Sequence, residues 1–335
     1  MHIPPPIFSP PLGLRNRHVQ TIFSSVGPRR LRLRRIKKRL RQHAQPLILD
    51  AGEGVRLLSY LNKPHLETSK PSLVILIHGW EGSEESSYML SASARLLDAG
   101  YAVLRLNMRD HGASHHLNEE AFNSTLLDEV IQAIQGVQSQ QRYERYHLAG
   151  FSLGGNFSLR VAASEQSKGL KLRSVSAFCP VVHAEEANTA LVQRRNWLYD
   201  AYFVRKWKRS LRRKSELFPH RFALEDFVHL DSLDAMNKAL IPKYTEFRAL
   251  DDYFDAYAIV DDRLKDPICP CYLHFAEDDM IIPVTGVDRI QPHPSLQVEV
   301  TRHGGHCGYL SNWRFDSWQD ERLLQIIAHH DHEPE

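Results

Sequence analysis

From residue 71 onward the chain alternates short apolar runs with amphipathic segments, a rhythm typical of a parallel sheet covered by helices. The run 73–77 is apolar at every position, as expected of a strand buried on both faces. Similar composition predicts further strands at 101–106, 147–151, 172–178, 271–275 and 296–301, with antiparallel edge strands at 45–49 and 55–61. Apolar residues at three- and four-residue spacings predict helices at 88–98, 122–138, 156–163 and 316–330. The pattern predicts an α/β fold, with a mostly parallel sheet of the eight-stranded type and helices on both faces.

One long interval, residues 183–264, breaks this rhythm. It has no strand pattern, and its sequence is helical, basic and rich in aromatic residues: Trp197, Tyr199, Tyr202, Phe203 and Trp207. An insertion at this point would lie above the carboxyl ends of the strands, where ligands bind in open α/β sheets. We therefore expect residues 183–264 to form a helical cap, and residues 1–182 and 265–335 to form the two parts of one core.

The composition is that of a soluble globular protein, with 42% hydrophobic and 24% charged residues in a chain of 335. No run approaches 18 consecutive apolar residues, and the N-terminus lacks the charged start and apolar run of a secretory signal. The cysteines have no zinc-ligand spacing: Cys179, Cys269, Cys271 and Cys307. Free thiols in a reducing cytoplasm are the simplest interpretation, and we expect no metal or organic cofactor.

Basic residues are concentrated in two segments although the net charge is only +2. Residues 29–41 hold nine Lys/Arg, and residues 205–214 hold seven. Each segment is either a solvated surface or a surface attracted to anionic lipid, where each cation contributes about 1 kcal/mol. A peripheral contact with the inner face of a membrane is therefore one hypothesis. Nucleic acid is not expected as a partner, because aromatic residues for base stacking are not interleaved apart from Trp207.

The most informative motif lies at residues 150–154, where Gly150, Ser152 and Gly154 fit the pattern G-x-S-x-G. In this pattern a sharp turn between a buried strand and a helix lifts a nucleophilic serine clear of the sheet. The flanking glycines are needed because Cβ atoms would clash with backbone in so tight a turn. The strand and helix predicted on either side favour a catalytic Ser152, whereas a glycine-rich turn without chemistry is the alternative.

A serine nucleophile needs a histidine base that is oriented by a carboxylate, and in this strand–turn–helix class the acid and then the histidine follow in the chain. Asp279 follows the strand at 271–275 and is our candidate acid, with Asp278 as the competitor. His306 lies in a glycine-rich loop after the last strand and is our candidate base, with His303 as the alternative.

Negative charge on the attacked carbonyl oxygen requires backbone N–H donors, the oxyanion hole. One donor is expected from Leu153, directly after the serine. The other is expected from the turn after the strand at 73–77, where Trp80 follows a His-Gly pair.

With these residues in view, the chain resembles the α/β-hydrolase superfamily and, within it, the YheT-like family of bacterial hydrolases, which is related to eukaryotic lipases and esterases. The matching segments are Asn16-Arg-His-Val-Gln-Thr21, similar to N-x-H-x-Q-T, together with residues 78–83, 150–156 and 301–306. The resemblance implies an α/β-hydrolase fold and a triad of Ser152, Asp279 and His306. Because the related proteins are esterases and lipases, the resemblance also implies an acyl ester substrate. The segments 107–114 and 245–254 depart from the family pattern, so the resemblance does not specify which ester.

Three functional hypotheses follow. The first is a serine hydrolase that cleaves short- to medium-chain acyl esters or lipids through an acyl-enzyme. The second is a non-catalytic ligand-binding protein on the same fold. The third is a peripheral membrane phospholipase that uses the same triad, with the basic segments 29–41 and 205–214 on the bilayer.

Overall fold

The computed structural model describes residues 3–64 and 70–332. Its centre is an eight-stranded sheet in the order β1-β2-β4-β3-β5-β6-β7-β8. The strands are β1 (Gln45–Asp50), β2 (Arg56–Asn62), β3 (Ser72–Ile77), β4 (Ala102–Leu106), β5 (Arg145–Phe151), β6 (Leu172–Phe178), β7 (Cys271–Ala276) and β8 (Leu296–Thr301). β2 is antiparallel to β1 and β4, and all other pairs are parallel. The predicted mostly parallel sheet is confirmed.

Helices cover both faces of this sheet, also as predicted. The α-helices of the described residues are α1 (Arg17–Ser25), α2 (Pro28–Gln42), α3 (Ser87–Asp98), α4 (Leu127–Gln140), α5 (Leu153–Ala163), α6 (Ala184–Leu191), α7 (Trp197–Leu217), α8 (Leu233–Tyr244), α9 (Leu250–Ala256) and α10 (Trp318–His332). Leu73, Ile75 and Ile77 of β3 pack in a core with α4 and α5, whereas Val74 and Leu76 pack in another with α3 and α10. This division explains why the run 73–77 is apolar at every position.

Two predicted helix starts are wrong. The helix predicted from residue 122 begins at Leu127, because the preceding backbone is bound to other parts of the fold. The Phe122 N–H donates to Asp110 Oδ2 at 2.8 Å, and the Ser124 N–H donates to the Tyr253 hydroxyl at 3.0 Å. The helix expected from residue 156 begins at Leu153, directly after the serine of the G-x-S-x-G motif.

The interval 183–264 carries α6 to α9 and no β-strand, and the structure describes all of its residues. α7 is attached to the core loops by one face. Lys214 forms a buried ion pair with Asp110 at 3.1 Å, and the Ser210 hydroxyl lies 2.8 Å from His115 Nε2. The boundaries of a cap domain at 183 and 264 stay a prediction. Within residues 3–64 and 70–332, no helix is both long and apolar enough to cross a membrane.

Candidate active site

Ser152 occupies a strained turn between β5 and α5. Its φ of +55° lies in a region that L-residues rarely adopt, and such strain persists only where the surroundings enforce it. The flanking glycines show how tight the turn is. A Cβ on Gly150 would lie 2.0 Å from the Gly154 carbonyl oxygen, and one on Gly154 would lie 2.4 Å from the His78 carbonyl oxygen. The sequence G-x-S-x-G is therefore a steric requirement of this turn.

The imidazole of His306 lies between the serine and a carboxylate. Its Nε2 is 2.9 Å from Ser152 Oγ, and its Nδ1 is 2.8 Å from Asp279 Oδ2. The other carboxylate oxygen of Asp279 accepts hydrogen bonds from the N–H groups of Ile281 at 2.8 Å and Ile282 at 3.0 Å. The carboxylate is thus fixed, and in the neutral imidazole it favours a proton on Nδ1, which leaves Nε2 as the nitrogen that can accept the serine proton.

The competing residues Asp278 and His303 lie next to the Ser152–His306–Asp279 arrangement but are not part of it. Asp278 Oδ1 accepts a hydrogen bond from the Gly305 N–H at 2.8 Å, and its Oδ2 lies 3.8 Å from His303 Nδ1. Of the two acids and two histidines that the sequence left open, the structure therefore brings Asp279 and His306 to Ser152.

The electrostatic environment favours the charged form of His306. Burial, the largest single cause, lowers the pKa of the imidazole, but the Asp279 carboxylate and Cys307 together outweigh it. The pKa of His306 is raised above its ordinary value of 6.5. A proton taken from Ser152 is therefore held more strongly here than by an isolated histidine.

Among the described residues, the two predicted oxyanion donors have no protein acceptor. The N–H of Leu153 is the first of α5, and the first N–H groups of a helix have no partner within it. The neighbours of Trp80 are both used, since the Gly79 N–H donates to the Tyr88 hydroxyl and the Glu81 N–H donates to a histidine. Within the described part of the chain, the N–H groups of Trp80 and Leu153 donate to no protein acceptor.

Two buried histidines that the sequence reasoning missed support this turn. His78 Nδ1 donates to the Gly79 carbonyl at 2.8 Å and its Nε2 accepts from the Met108 N–H, whereas His111 Nε2 accepts from the Glu81 N–H at 3.1 Å. Burial lowers the pKa of His78 well below its ordinary value and that of His111 to about 4. Both rings are therefore neutral, and the turn keeps its shape across physiological pH. The His-Gly pair at residues 78–79 was the available signal for His78, although the sequence analysis used it only to locate the oxyanion donor at Trp80.

Aromatic side chains of α7 cover the turn. The Trp80 indole stacks on Phe203 with centroids 5.4 Å apart, and it contacts Trp207 edge-on at 5.3 Å. Lys206, on the same helix, donates to the carbonyl oxygen of Glu81. The interval 183–264 thus places an apolar surface and one cation directly over the predicted oxyanion turn.

One group near the site has metal-binding side chains. The ligand atoms of Cys179, His306 and Cys307 lie within 4.8 Å of one another, the one such group among the residues described. Both ring nitrogens of His306 are already bound to Ser152 and Asp279, and both thiols are buried. The donor set therefore fits a proton-transfer site better than a metal site.

Comparisons with known proteins identify the family of this chain. The model of the alpha/beta hydrolase family matches residues 74–315, which include the G-x-S-x-G turn and the His306 loop. The chain belongs to the alpha/beta hydrolase family. The eight-stranded sheet, with β2 alone reversed relative to its neighbours, is the α/β-hydrolase fold that the sequence predicted. The narrower resemblance to YheT-like hydrolases stays a prediction.

Relatives of this α/β hydrolase cover nearly the whole chain at low identity. Phospholipase ABHD3 of Bos taurus is 23% identical over 323 residues, which are 93% of this chain and 78% of the relative. An abhydrolase domain-containing protein of Dictyostelium discoideum is 21% identical over 327 residues, 96% of this chain and 80% of the relative. Among solved structures, an esterase of Pyrococcus furiosus superposes with a TM-score of 0.55 at 17% identity, covering 87% of this chain and 92% of its own. The structural match supports the fold.

The N-terminal segment is the part of the site whose contribution was missed. Thr21 and Gln20 of α1 contact the loop that carries His306. The N-x-H-x-Q-T resemblance had flagged these residues, but nothing in the catalytic argument required them.

Proposed function

We propose that this α/β hydrolase is a serine hydrolase that cleaves carboxylic acyl esters of short to medium chain length. The observation that carries the proposal is the position of the His306 imidazole, 2.9 Å from Ser152 Oγ and 2.8 Å from Asp279 Oδ2. A serine hydroxyl becomes a useful nucleophile when a base accepts its proton as it attacks, and this contact supplies such a base.

In the first half of the reaction, His306 Nε2 takes the Ser152 proton while Oγ attacks the ester carbonyl carbon. The carbonyl oxygen gains negative charge, which the N–H groups of Trp80 and Leu153 stabilise. Asp279 holds the imidazole in the required tautomer and stabilises its charged form. His306 then returns the proton to the leaving alcohol, and the acyl group remains on Ser152.

The second half repeats the proton transfers with water. His306 removes a proton from a water molecule as this water attacks the carbonyl carbon of the acyl-enzyme. The same two N–H groups stabilise the negative charge that develops on the carbonyl oxygen. Collapse of this intermediate releases the carboxylic acid and restores the Ser152 hydroxyl. No step requires a metal or an organic cofactor.

The surroundings of the turn support an apolar acyl group. Trp80, Phe203 and Trp207 form an aromatic cluster there, and apolar side chains with a few placed polar donors are typical of small-molecule sites. The names of two relatives, a bovine phospholipase and an archaeal esterase, also favour an ester substrate.

The direct test is a series of p-nitrophenyl esters from acetate to laurate, combined with a fluorophosphonate probe for reactive serines. We expect hydrolysis that is fastest at short or medium chain length, and labelling of Ser152 identified by peptide mass. If the folded protein hydrolyses none of the esters and Ser152 does not react, the proposal is wrong and the non-catalytic hypothesis takes its place.

The pH dependence tests the role of Asp279. Only neutral His306 can act as a base, and its pKa is raised above 6.5, so kcat/KM is expected to rise with pH through a limb above 6.5. Asp279→Asn removes the charge that raises this pKa while burial still lowers it, so the limb moves to lower pH. Loss of the correct tautomer lowers kcat by about 10⁴-fold.

The control for this experiment is Asp278→Asn, which keeps an acceptor for the Gly305 N–H. We expect it to retain the limb above 6.5 and to lose much less activity. An Asp279→Asn enzyme with the wild-type limb would show that Asp279 does not set the pKa of the base.

A second candidate, a hydrolase that works at an anionic membrane surface, is favoured by the cations left unpaired. Five cations of residues 29–41 form ion pairs with carboxylates: Arg29, Arg32, Lys37, Arg39 and Arg41. Eight exposed cations of the two segments have no carboxylate partner in the described chain: Arg30, Arg34, Arg35, Lys38, Arg205, Arg209, Arg212 and Arg213. The four unpaired arginines of α7 follow exposed Leu198 and Tyr202 along one face of the helix.

Vesicle co-sedimentation tests this candidate with the intact protein. Binding to phosphatidylglycerol-containing vesicles is expected at low salt and not at high salt, because surface charges are screened. Replacing the four unpaired arginines of α7 with glutamine should weaken binding by more than about 100-fold, at about 1 kcal/mol per cation. Replacing the paired Arg263 and Lys265 is the control. Equal binding by all variants would exclude a membrane contact through α7.

A further inference from the structure

Helix α1 lies directly against the loop that carries His306, although 285 positions separate the contacting residues. The side chain of Gln20 is fully buried, and it binds both the N–H and the carbonyl of one residue, Leu310, at the end of this loop. Its Oε1 accepts from the Leu310 N–H at 2.6 Å, and its Nε2 donates to the Leu310 carbonyl at 3.1 Å. Its Nε2 also donates to the Leu14 carbonyl at 2.6 Å, so Gln20 ties the loop to the N-terminal segment.

Thr21 binds His306 itself. The His306 N–H donates to Thr21 Oγ1 at 2.9 Å, and the same hydroxyl donates to the Arg17 carbonyl at 2.9 Å. The second hydrogen bond fixes the hydroxyl proton on the helix, so that a lone pair faces the loop. On the other side, Asp278 accepts the Gly305 N–H at 2.8 Å. Two consecutive N–H groups of the loop are therefore held by side chains from different elements.

Two glycines of the loop, Gly305 and Gly308, are explained by this contact. A Cβ on Gly305 would lie 2.5 Å from Thr21 Oγ1 and 2.7 Å from the Arg17 carbonyl oxygen, and one on Gly308 would lie 2.6 Å from the Gln20 carbonyl oxygen. Gly305 also has a φ of +52°, which favours glycine. The sequence around His306 is thus complementary in shape to α1, and the N-x-H-x-Q-T and T-R-H-G-G-H segments form one structural unit.

Helix α1 is itself well anchored. Asn16 caps its first turn, accepting from the N–H groups of His18 at 2.9 Å and Val19 at 3.2 Å. His18 Nδ1 lies 3.1 Å from the Tyr199 hydroxyl of α7, and the two rings are nearly parallel. A helix fixed at its start and against the cap region can hold the loop in one place.

We propose that Thr21 and Gln20 are positioning residues of the active site, which set the distance from the His306 imidazole to Ser152 and Asp279. The inference rests on the proposed function, because it assigns these residues to the catalytic base. The imidazole makes hydrogen bonds of 2.9 and 2.8 Å on its two sides, so a loop shift of about 1 Å breaks one or both.

The experiment compares Thr21→Val, which keeps the shape and removes the hydroxyl, with Thr21→Ser, which keeps the hydroxyl. We expect Thr21→Val to lower kcat on p-nitrophenyl butyrate by about 10- to 100-fold with little change in KM. Thr21→Ser should recover most of kcat. Ser24→Ala is the matched control, since it removes a buried hydroxyl of the same helix that donates to the Thr21 carbonyl and, within the described residues, makes no hydrogen bond to the loop. It should keep the wild-type kcat.

A second measurement does not depend on turnover. The proton between His306 Nδ1 and Asp279 is expected as a low-field proton NMR resonance in the wild type, in Thr21→Ser and in Ser24→Ala. In Thr21→Val this resonance should shift or broaden. If Thr21→Val folds poorly, Thr21→Ala, with the residue of highest helix propensity, replaces it.

The outcomes separate the two proposals. A folded Thr21→Val enzyme with wild-type kcat and an unchanged resonance would overturn the positioning role, as would equal losses in Thr21→Val and Ser24→Ala. A wild type that hydrolyses no ester refutes the proposed function, and the NMR comparison then still decides whether Thr21 positions the imidazole.

Discussion

Replacing Ser152 with alanine is expected to lower kcat on a p-nitrophenyl ester by on the order of 10⁴- to 10⁶-fold. In the proposed mechanism no acyl-enzyme forms without Oγ, and the residual rate is expected from the predicted oxyanion donors and from substrate binding. KM should change little, because the variant keeps the surroundings of the turn. Steady-state kinetics and loss of fluorophosphonate labelling check both points.

The control is Ser176→Ala on the neighbouring strand β6. The Ser176 hydroxyl is buried and has no hydrogen-bond partner within the residues the structure describes, so its removal should leave kcat near the wild-type value. Activity that survives in pure Ser152→Ala protein would mean that another group attacks the ester.

Gly154→Ala is expected to damage both folding and activity. The new Cβ would lie 2.4 Å from the carbonyl oxygens of Ile77 and His78, and backbone cannot move aside as a flexible side chain can. The loss of unfolding free energy should therefore exceed the roughly 1–3 kcal/mol of ordinary overpacking. Because residues 77–78 lead into the predicted oxyanion turn, any protein that folds should also lose most of its kcat. Chemical denaturation and ester kinetics measure the two effects.

Gly169→Ala is the matched control for this substitution. A Cβ on Gly169 would meet no atom of the described residues within 4 Å, so the change should alter the unfolding free energy by less than about 1 kcal/mol. Equal stability of the two variants would contradict the steric interpretation of the G-x-S-x-G motif.

The sheet could be predicted because burial on both faces leaves a local signal. The run 73–77 is apolar throughout, and β7, which is buried at every position, begins at Cys271 as its sequence indicates. The start of α4 could not be predicted, since residues 122–126 have ordinary helical apolar spacing. Their backbone is bound instead by Asp110 and Tyr253, which are distant in sequence.

The candidate site divides in the same way. Ser152 was identifiable because the glycines around it are a local steric requirement. The choice between Asp278 and Asp279 depends on which carboxylate faces the imidazole, and adjacent residues of one loop give no such information in sequence. The contribution of Thr21 could not be predicted either, because its hydroxyl contacts the His306 N–H only in the folded protein, across 285 positions of sequence.

The attachment of α7 has a consequence for how a substrate reaches Ser152. Lys206, Ser210 and Lys214 follow one another at intervals of one turn, and each contacts a core loop. Lifting this helix as a rigid rod would separate the buried Lys214–Asp110 pair and leave a charge without a partner, at a cost of about 3–5 kcal/mol. If the protein has the proposed function, we therefore expect a passage for bulky esters to open through rotamer changes of the aromatic side chains, or elsewhere in residues 183–264, while α7 itself stays in place.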